Sequence, residues 1–505
     1  MDPGRGQPNP SRCVACEEIE LANVHDARPS QLMPIPRMAL AGFPEGRSPK
    51  ALTRRRLLQL GAAGFASVYA SRLLRWESVW ESAVAEAAAN PAPRALVLLY
   101  LAGGQDGLNA IVPNTGSDNS IYMAKRPTLA RVQGPSLGGR VGSQTVPGTG
   151  GQLAFANPLV SSTGGGDNGD PAHGFDVIYG DGTGGAGSDL ALLPAVDYTP
   201  PNLSHFTSSD YWFAGELSSA STGWLGRYLD AFGSATNPLQ GISIGGSLSK
   251  ALRTASAPVC TINSLTDLGF HLKLAAALGG DGSTLDANAI MAELSAIPAT
   301  PSNAGLARSR LAYQLATEVY NEARALGTPV YGTGYPPKSN LSTQLQLAAF
   351  LLAANLGTRV ITIHWGSFDT HGQEVAQQDP QLIELSRALS AFLADLKARG
   401  IDDRVSVLMF SEFGRRVAEN GSQGTDHGAG GLMMLAGSGV KGGFASPFPG
   451  LSKLDPTGDL LVPTDFRSVY QEAISGWLGG DPTAVLPGGP FPAVTRYDGS
   501  QGLFK

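Results

Sequence analysis

Charge is scarce in this 505-residue chain: Asp, Glu, Lys and Arg together make up 15% of it, against roughly a quarter in ordinary globular proteins. The net charge of -6 has the wrong sign for nucleic-acid binding, which needs a basic patch to displace counterions. Cysteine is scarcer still, at three. Cys13 and Cys16 form one C-x-x-C, and neither a second pair nor neighbouring histidines complete a structural zinc site. Cys260 stands alone, so no disulfide framework is expected and stability must come from a core. Also missing is any run of about 18–20 apolar residues, which excludes a permanent transmembrane anchor of the helical kind.

Glycine and proline fill the gap left by charge, at 65 and 35 residues, while 42% of the chain is apolar. That balance describes a sizeable core joined by long loops, with function placed on the loops. The length fits one large α/β domain behind a leader.

The leader is read from Thr53-Arg54-Arg55-Arg56, an arginine pair followed by an apolar stretch over 57–70 that contains Gly61 and Gly64. It resembles the twin-arginine export signal, and the stretch is too short to span a bilayer. Small residues at Ala83-Val84-Ala85 and Ala87-Ala88-Ala89 suit cleavage just before the turn-rich Asn90-Pro91-Ala92-Pro93. The expected organisation is a disordered extension over 1–52, the signal segment over 53–90 and the α/β domain over 94–505. Dependence on the twin-arginine machinery and a periplasmic or extracellular location follow.

Beyond the leader, 95–101 is a continuous apolar run, as expected of a strand buried on both faces of a parallel sheet. Residues 131–190 are dominated by Gly, Ser, Thr, Asn and Asp, and read as a Gly-rich surface insertion without clear elements. The second half is more regular. A helix is expected over 342–356, a strand over 359–364, and a helix capped by Asp379 with Pro380 at its first position and running to Gly400. A strand over 404–410 completes a strand, helix, strand unit that should be parallel and right-handed. A short strand over 432–436 and a helix over 466–478 follow. Gly241-Ile242-Ser243-Ile244-Gly245 fits G-x-S-x-G, but Ser243 alternates with isoleucines as inside a strand, not at a nucleophile elbow. One copy of a calcium-repeat pattern at Gly184-Gly185-Ala186-Gly187-Ser188-Asp189 is a loop, since such repeats act in series.

Each of the three strands expected over 95–101, 359–364 and 404–410 runs into polar, metal-compatible residues. The first leads to Asp106, the second to Asp369 and His371, and the third to Glu412 and Arg415, then past a glycine-rich bend to Asp426 and His427. Parallel topology brings such loops to the carboxyl edge of the sheet, where ligands bind. A cation with carboxylate and imidazole donors needs that convergence. His364 lies inside a strand and reads as a hydrogen-bonded core residue.

Four segments carry a resemblance: LYLAGGQDGLN, SHFTSSDYWFAG with GWLGRYLD, HWGSFDTHGQ, and MFSEFGRR with GTDHGAGG. In that order, behind a twin-arginine leader, they resemble the bacterial domain-of-unknown-function family 1501, related to the alkaline-phosphatase-like superfamily of sulfatases and phosphatases. The resemblance covers most of the chain from about residue 94, the Gly-rich stretch excepted. It implies a three-layer α/β/α sandwich with a mostly parallel central sheet and a metal site at its carboxyl edge. By position, Asp106 matches the first-strand metal carboxylate and Ser204, beside His205, the nucleophile. Asp369, His371 and His427 match one metal's ligands, with Asp426 beside them, and Glu412 the second metal's carboxylate. Phe413 stands where many members of the superfamily place a histidine, so a second ion would lose a strong ligand. Two functions are implied: a hydrolase of phosphate or sulfate esters using a divalent ion (zinc, calcium, magnesium or manganese), with Arg415 clamping the anionic ester, or a non-catalytic exported protein that keeps the fold for binding or assembly.

Overall fold

The computed structural model describes residues 93–134, 142–183, 187–235, 237–263 and 332–505. The arginine pair, the leader and the C-x-x-C lie outside them. Strand β1, Ala95–Leu101, is buried at every position. Four short strands follow, β2 (Ile111–Pro113), β3 (Val132–Gln133), β4 (Gly142–Thr145) and β5 (Leu153–Ala156), with helix α1 (Gly116–Lys125) between the first two. Helix α2 (Phe175–Tyr179) leads to β6 (Leu190–Asp197), then α3 (His205–Ala214), α4 (Trp224–Phe232), β7 (Gly241–Ile244) and β8 (Cys260–Ile262). The C-terminal half holds α5 (Asn340–Ala353), β9 (Val360–Trp365), α6 (Glu374–Ala398), β10 (Val405–Phe410), β11 (Gly414–Arg415), β12 (His427–Gly428), β13 (Gly431–Ala436), β14 (Gly443–Phe444), β15 (Thr464–Asp465) and α7 (Phe466–Glu472).

The large sheet has nine strands in the order β14-β6-β13-β10-β1-β9-β7-β8, with β15 also on β6. β1 lies between β10 and β9, parallel to both. Parallel pairing continues through β7 to β8. The exception is β13, antiparallel to β10 and to β6. Alternation along β1 sends Val97 and Leu99 into a core with Leu345 of α5 and Leu389 of α6, and Leu96 and Leu98 into a second core with Trp212 of α3, Leu225 of α4 and Tyr470 of α7. Helices therefore cover both faces of a mostly parallel sheet, a three-layer α/β/α arrangement. Each fully buried leucine contributes roughly 1.5–3 kcal/mol by leaving water.

Two expectations need correction. The stretch 131–190 is not structureless where it is described: β3, β4 and β5 join β2 in a four-stranded sheet, and Phe155, Phe175 and Tyr179 are buried beneath it. Its few apolar residues are separated by glycine turns, which hides the pattern. Helix α6 begins at Glu374, so Pro380 lies inside it instead of opening it. Asp379 is used elsewhere, in an ion pair with Arg131 (2.6 Å).

Candidate metal centre

The loops after β1, β9 and β10 meet at the carboxyl edge of the sheet. Gly103 makes the meeting close: its φ is +110°, and a Cβ there would lie 2.6 Å from the backbone nitrogen of Asp369. The two-stranded ribbon β11–β12 pairs Arg415 with His427, which brings the last loop alongside. A fourth contribution comes from the N-terminus of α3, whose first residue is His205.

Three imidazoles surround Asp369. His427 Nε2 and His371 Nε2 each lie 3.0 Å from Asp369 Oδ1, and 3.0 Å from one another. His205 Nε2 lies 3.5 Å from Asp369 Oδ2 and has no hydrogen-bond partner although buried. His205, Asp369 and His427 each present one donor atom within 4.8 Å of the others, the one such group of His, Cys, Asp or Glu among the described residues.

The tautomers follow from the far side of each ring. His205 Nδ1 meets Glu412 Oε1 at 2.6 Å, His427 Nδ1 meets the Leu203 carbonyl at 2.9 Å, and His371 Nδ1 meets Asp426 Oδ1 at 2.9 Å. All three partners only accept, so each Nδ1 carries the hydrogen and each Nε2 lone pair turns inward. Lone pairs and a carboxylate oxygen packed this closely repel unless a proton or a cation sits among them. Fixing Nδ1–H on a carbonyl or carboxylate is how metal-ligating histidines are oriented.

The electrostatics point the same way. Burial pushes the Asp369 carboxyl up, but His205, His371, His427 and Arg415 outweigh it and hold the group well below the usual carboxylate range. Burial lowers His205, yet the negative charges of Asp369 and Glu412 beside it raise it to about 9. Burial also lowers His427, which keeps its Nε2 free to coordinate. His371 lies beside the group of His205, Asp369 and His427 but outside it; two imidazoles and one carboxylate are donors of the kind a borderline ion such as Zn²⁺ takes.

The other residues singled out in the sequence are placed differently. Asp106 is buried against Arg126, whose guanidinium takes both carboxylate oxygens. Arg126 holds it below its usual pKa despite burial, so Asp106 already has its counter-ion and is not part of the donor group. Glu412 accepts from the backbone of Gly103 (3.0 Å) and Gly104 (3.2 Å) as well as from His205, so it is engaged within the protein and lies outside the donor group. Asp426 stands behind His371 in the same way. Arg415 cannot act as an anion clamp as drawn from the sequence: it is buried, and its nitrogens donate to the carbonyls of Gly104 (2.6 Å), Thr425 (2.8 Å) and Phe368 (2.9 Å) and to Asp369 (2.8 Å). Ser204 occupies the N-cap position of α3, half-buried, with no capping bond from its hydroxyl.

Phe413 is fully buried, with its ring centroid 4.3 Å from that of His427 and 4.8 Å from that of His205. It forms the wall against which two imidazoles of the cluster are held. His205 was not singled out as a donor in the sequence because it opens a helix instead of following a strand, and its place next to Ser204 drew attention to the hydroxyl.

The family described as a protein of unknown function (DUF1501) matches residues 302–448. That span contains Asp369, His371 and His427 but not His205. No curated protein matches the sequence. Among solved structures, the chain is similar to the PsFucS1 sulfatase from Pseudoalteromonas sp., with a TM-score of 0.30 and 12% identity over 82% of this chain and 73% of that one. It is also similar to the lipoteichoic acid synthase LtaP from Listeria monocytogenes, with a TM-score of 0.24 and 11% identity over 88% and 91% of the two chains. Likenesses this loose carry no argument about chemistry.

Proposed function

We propose that the protein is an exported hydrolase of phosphate or sulfate esters that works with one divalent ion held by His205, Asp369, His371 and His427. The observation that carries the reading is the inward convergence of three Nε2 atoms whose Nδ1 hydrogens are fixed from behind. A bound divalent ion supplies charge stabilisation to the non-bridging oxygens of such an ester and lowers the pKa of a bound water. The chain's own residues orient the site. Glu412 and Asp426 hold His205 and His371, Arg415 donates to Asp369, and Phe413 packs against the rings of His205 and His427. The N-terminus of α3 opens at the cluster with Ser204, whose hydroxyl adjoins His205 in sequence, and its N–H groups favour an anion.

A non-catalytic binding or assembly role is the second reading, favoured by one observation: Arg415 has been drawn into the backbone and offers nothing to a substrate. Elemental analysis and a screen of aryl phosphate and sulfate esters separate the two. One bound ion with turnover supports the hydrolase, and one bound ion with no turnover on any ester supports the binding role.

Export is proposed from the leader alone. Arg54→Lys with Arg55→Lys should leave the protein in the cytoplasm on cell fractionation, and undiminished periplasmic recovery would overturn the assignment.

A further inference from the structure

The same edge of the sheet carries a second concavity. Beyond the carboxyl ends of β7, β8 and β9 lies a recess of about 310 Å³, within the range of about 300–1,000 Å³ typical of small-molecule sites. It is distinct from the metal centre in composition. Ser247, Asn263, Asn340, Thr343, Gln344 and His364 line it, with Ile244 and two glycines, and no Asp, Glu, Lys or Arg is among its described lining residues.

We propose that this recess is a subsite for a neutral, polyhydroxylated ring, namely a sugar unit. The chemistry of the lining selects it. A charged group would lose water here with no counter-charge among the described lining residues to meet it, and an apolar one would strand amides and hydroxyls without partners. A sugar both donates and accepts, which matches a wall of amides, hydroxyls and an imidazole. Gln344, one of the lining residues, keeps its Oε1 behind the wall without a hydrogen-bond partner. His364 stacks on Phe213 (5.1 Å, 7°) with Tyr100 on its edge. Burial between those rings lowers its pKa to about 4 although its outer side opens on the recess, so the wall stays uncharged near neutral pH.

The recess is built in advance. Ser243 donates to the Ser247 carbonyl (2.9 Å) and accepts from Ser249 N–H (3.1 Å), and Ser249 Oγ bonds His364 Nε2 (3.0 Å). The serine of G-x-S-x-G therefore braces a loop and is no nucleophile. Gly245, at φ +143°, and Gly246 would each point a Cβ into open space, which leaves the backbone bare to a ligand. β9 joins the two sites, because its end carries His364 and the loop beyond it carries Asp369 and His371.

This inference deepens the ester-hydrolase reading by making the ester a glycan's, but binding can be read without turnover. The probes are methyl glycosides of glucose, galactose, mannose and N-acetylglucosamine, titrated into the purified chain by saturation-transfer NMR and calorimetry. At least one should bind the wild type. Gly246→Trp fills the recess at a position free of left-handed backbone and should abolish that binding while metal content stays at one ion. Gln344→Leu should weaken it about tenfold, the loss of one or two hydrogen bonds. Removing the metal through His427→Ala should leave glycoside binding in place. Absence of binding by all four glycosides, unchanged binding in Gly246→Trp, or displacement of the glycoside by inorganic sulfate would each overturn the assignment. The metal reading fails separately, through metal content.

Discussion

His427→Ala should empty the metal centre. The wild type is expected to hold one tightly bound divalent ion, and the variant none after dialysis against a weak chelator. Its Nε2 is one of three imidazole donors around Asp369, and alanine removes it without disturbing the sheet. His205→Ala should do the same, although no metal-compatible residue other than His205 lies on α3 near its start. Glu412→Gln is the graded control. Glutamine keeps an acceptor for His205 Nδ1 but not the charge, and loss of such a supporting group lowers metal affinity about 10–100-fold. Full metal in His427→Ala, measured by elemental analysis, would dispose of the centre.

Arg126→Met should destabilise the protein by about 3–5 kcal/mol, the usual effect of removing one partner from a buried ion pair. Arg126 is fully buried, and besides Asp106 it serves the carbonyls of Val417 (3.0 Å) and Arg416 (2.8 Å). Methionine fills the space and leaves Asp106 as an unpaired buried acid beside Glu374, which burial and the Asp106 charge already push up to about 8. Asp106→Asn in the same chain should recover part of the loss, because the stranded charge is gone. Urea denaturation reads both. Asp106→Asn alone also separates the two roles proposed for this residue: metal content should stay at one ion, and a drop would restore Asp106 as a ligand.

The sheet was legible because its strands are short, apolar runs with turn residues at both ends. β1 was expected at 95–101 and is found there, and β9 and β10 fall within one residue of expectation. The order of strands was not legible, since no periodicity says that β1 inserts between β9 and β10 or that β13 runs antiparallel. At the site, Asp369, His371 and His427 stood out as rare donors directly after strands. What misled was partner choice. Asp106, Glu412 and Arg415 have the right chemistry for an anion or cation site, but each is satisfied within the protein, by Arg126, by two backbone N–H groups with His205, and by four carbonyls with Asp369. Such pairings depend on three-dimensional neighbours, 20 residues away for Asp106 and Arg126 and 309 for Glu412 and Gly103. Phe413 is the same case in reverse: the sequence shows an aromatic ring in a ligand's place, and only its packing on His205 and His427 shows why it is there.

The insertion of β1 between β9 and β10 sets the tempo of folding. Leu101, at the end of β1, and Ser411, just past β10, are 310 residues apart and hydrogen-bonded. During synthesis at about 5–20 residues per second, the first strand waits about 15–60 s for its neighbours. Throughout that interval an all-apolar strand has no sheet to enter, and long-range parallel pairing is slow even once the partners exist. The newly made chain therefore depends on shielding of Ala95–Leu101 before anything near the metal centre can assemble.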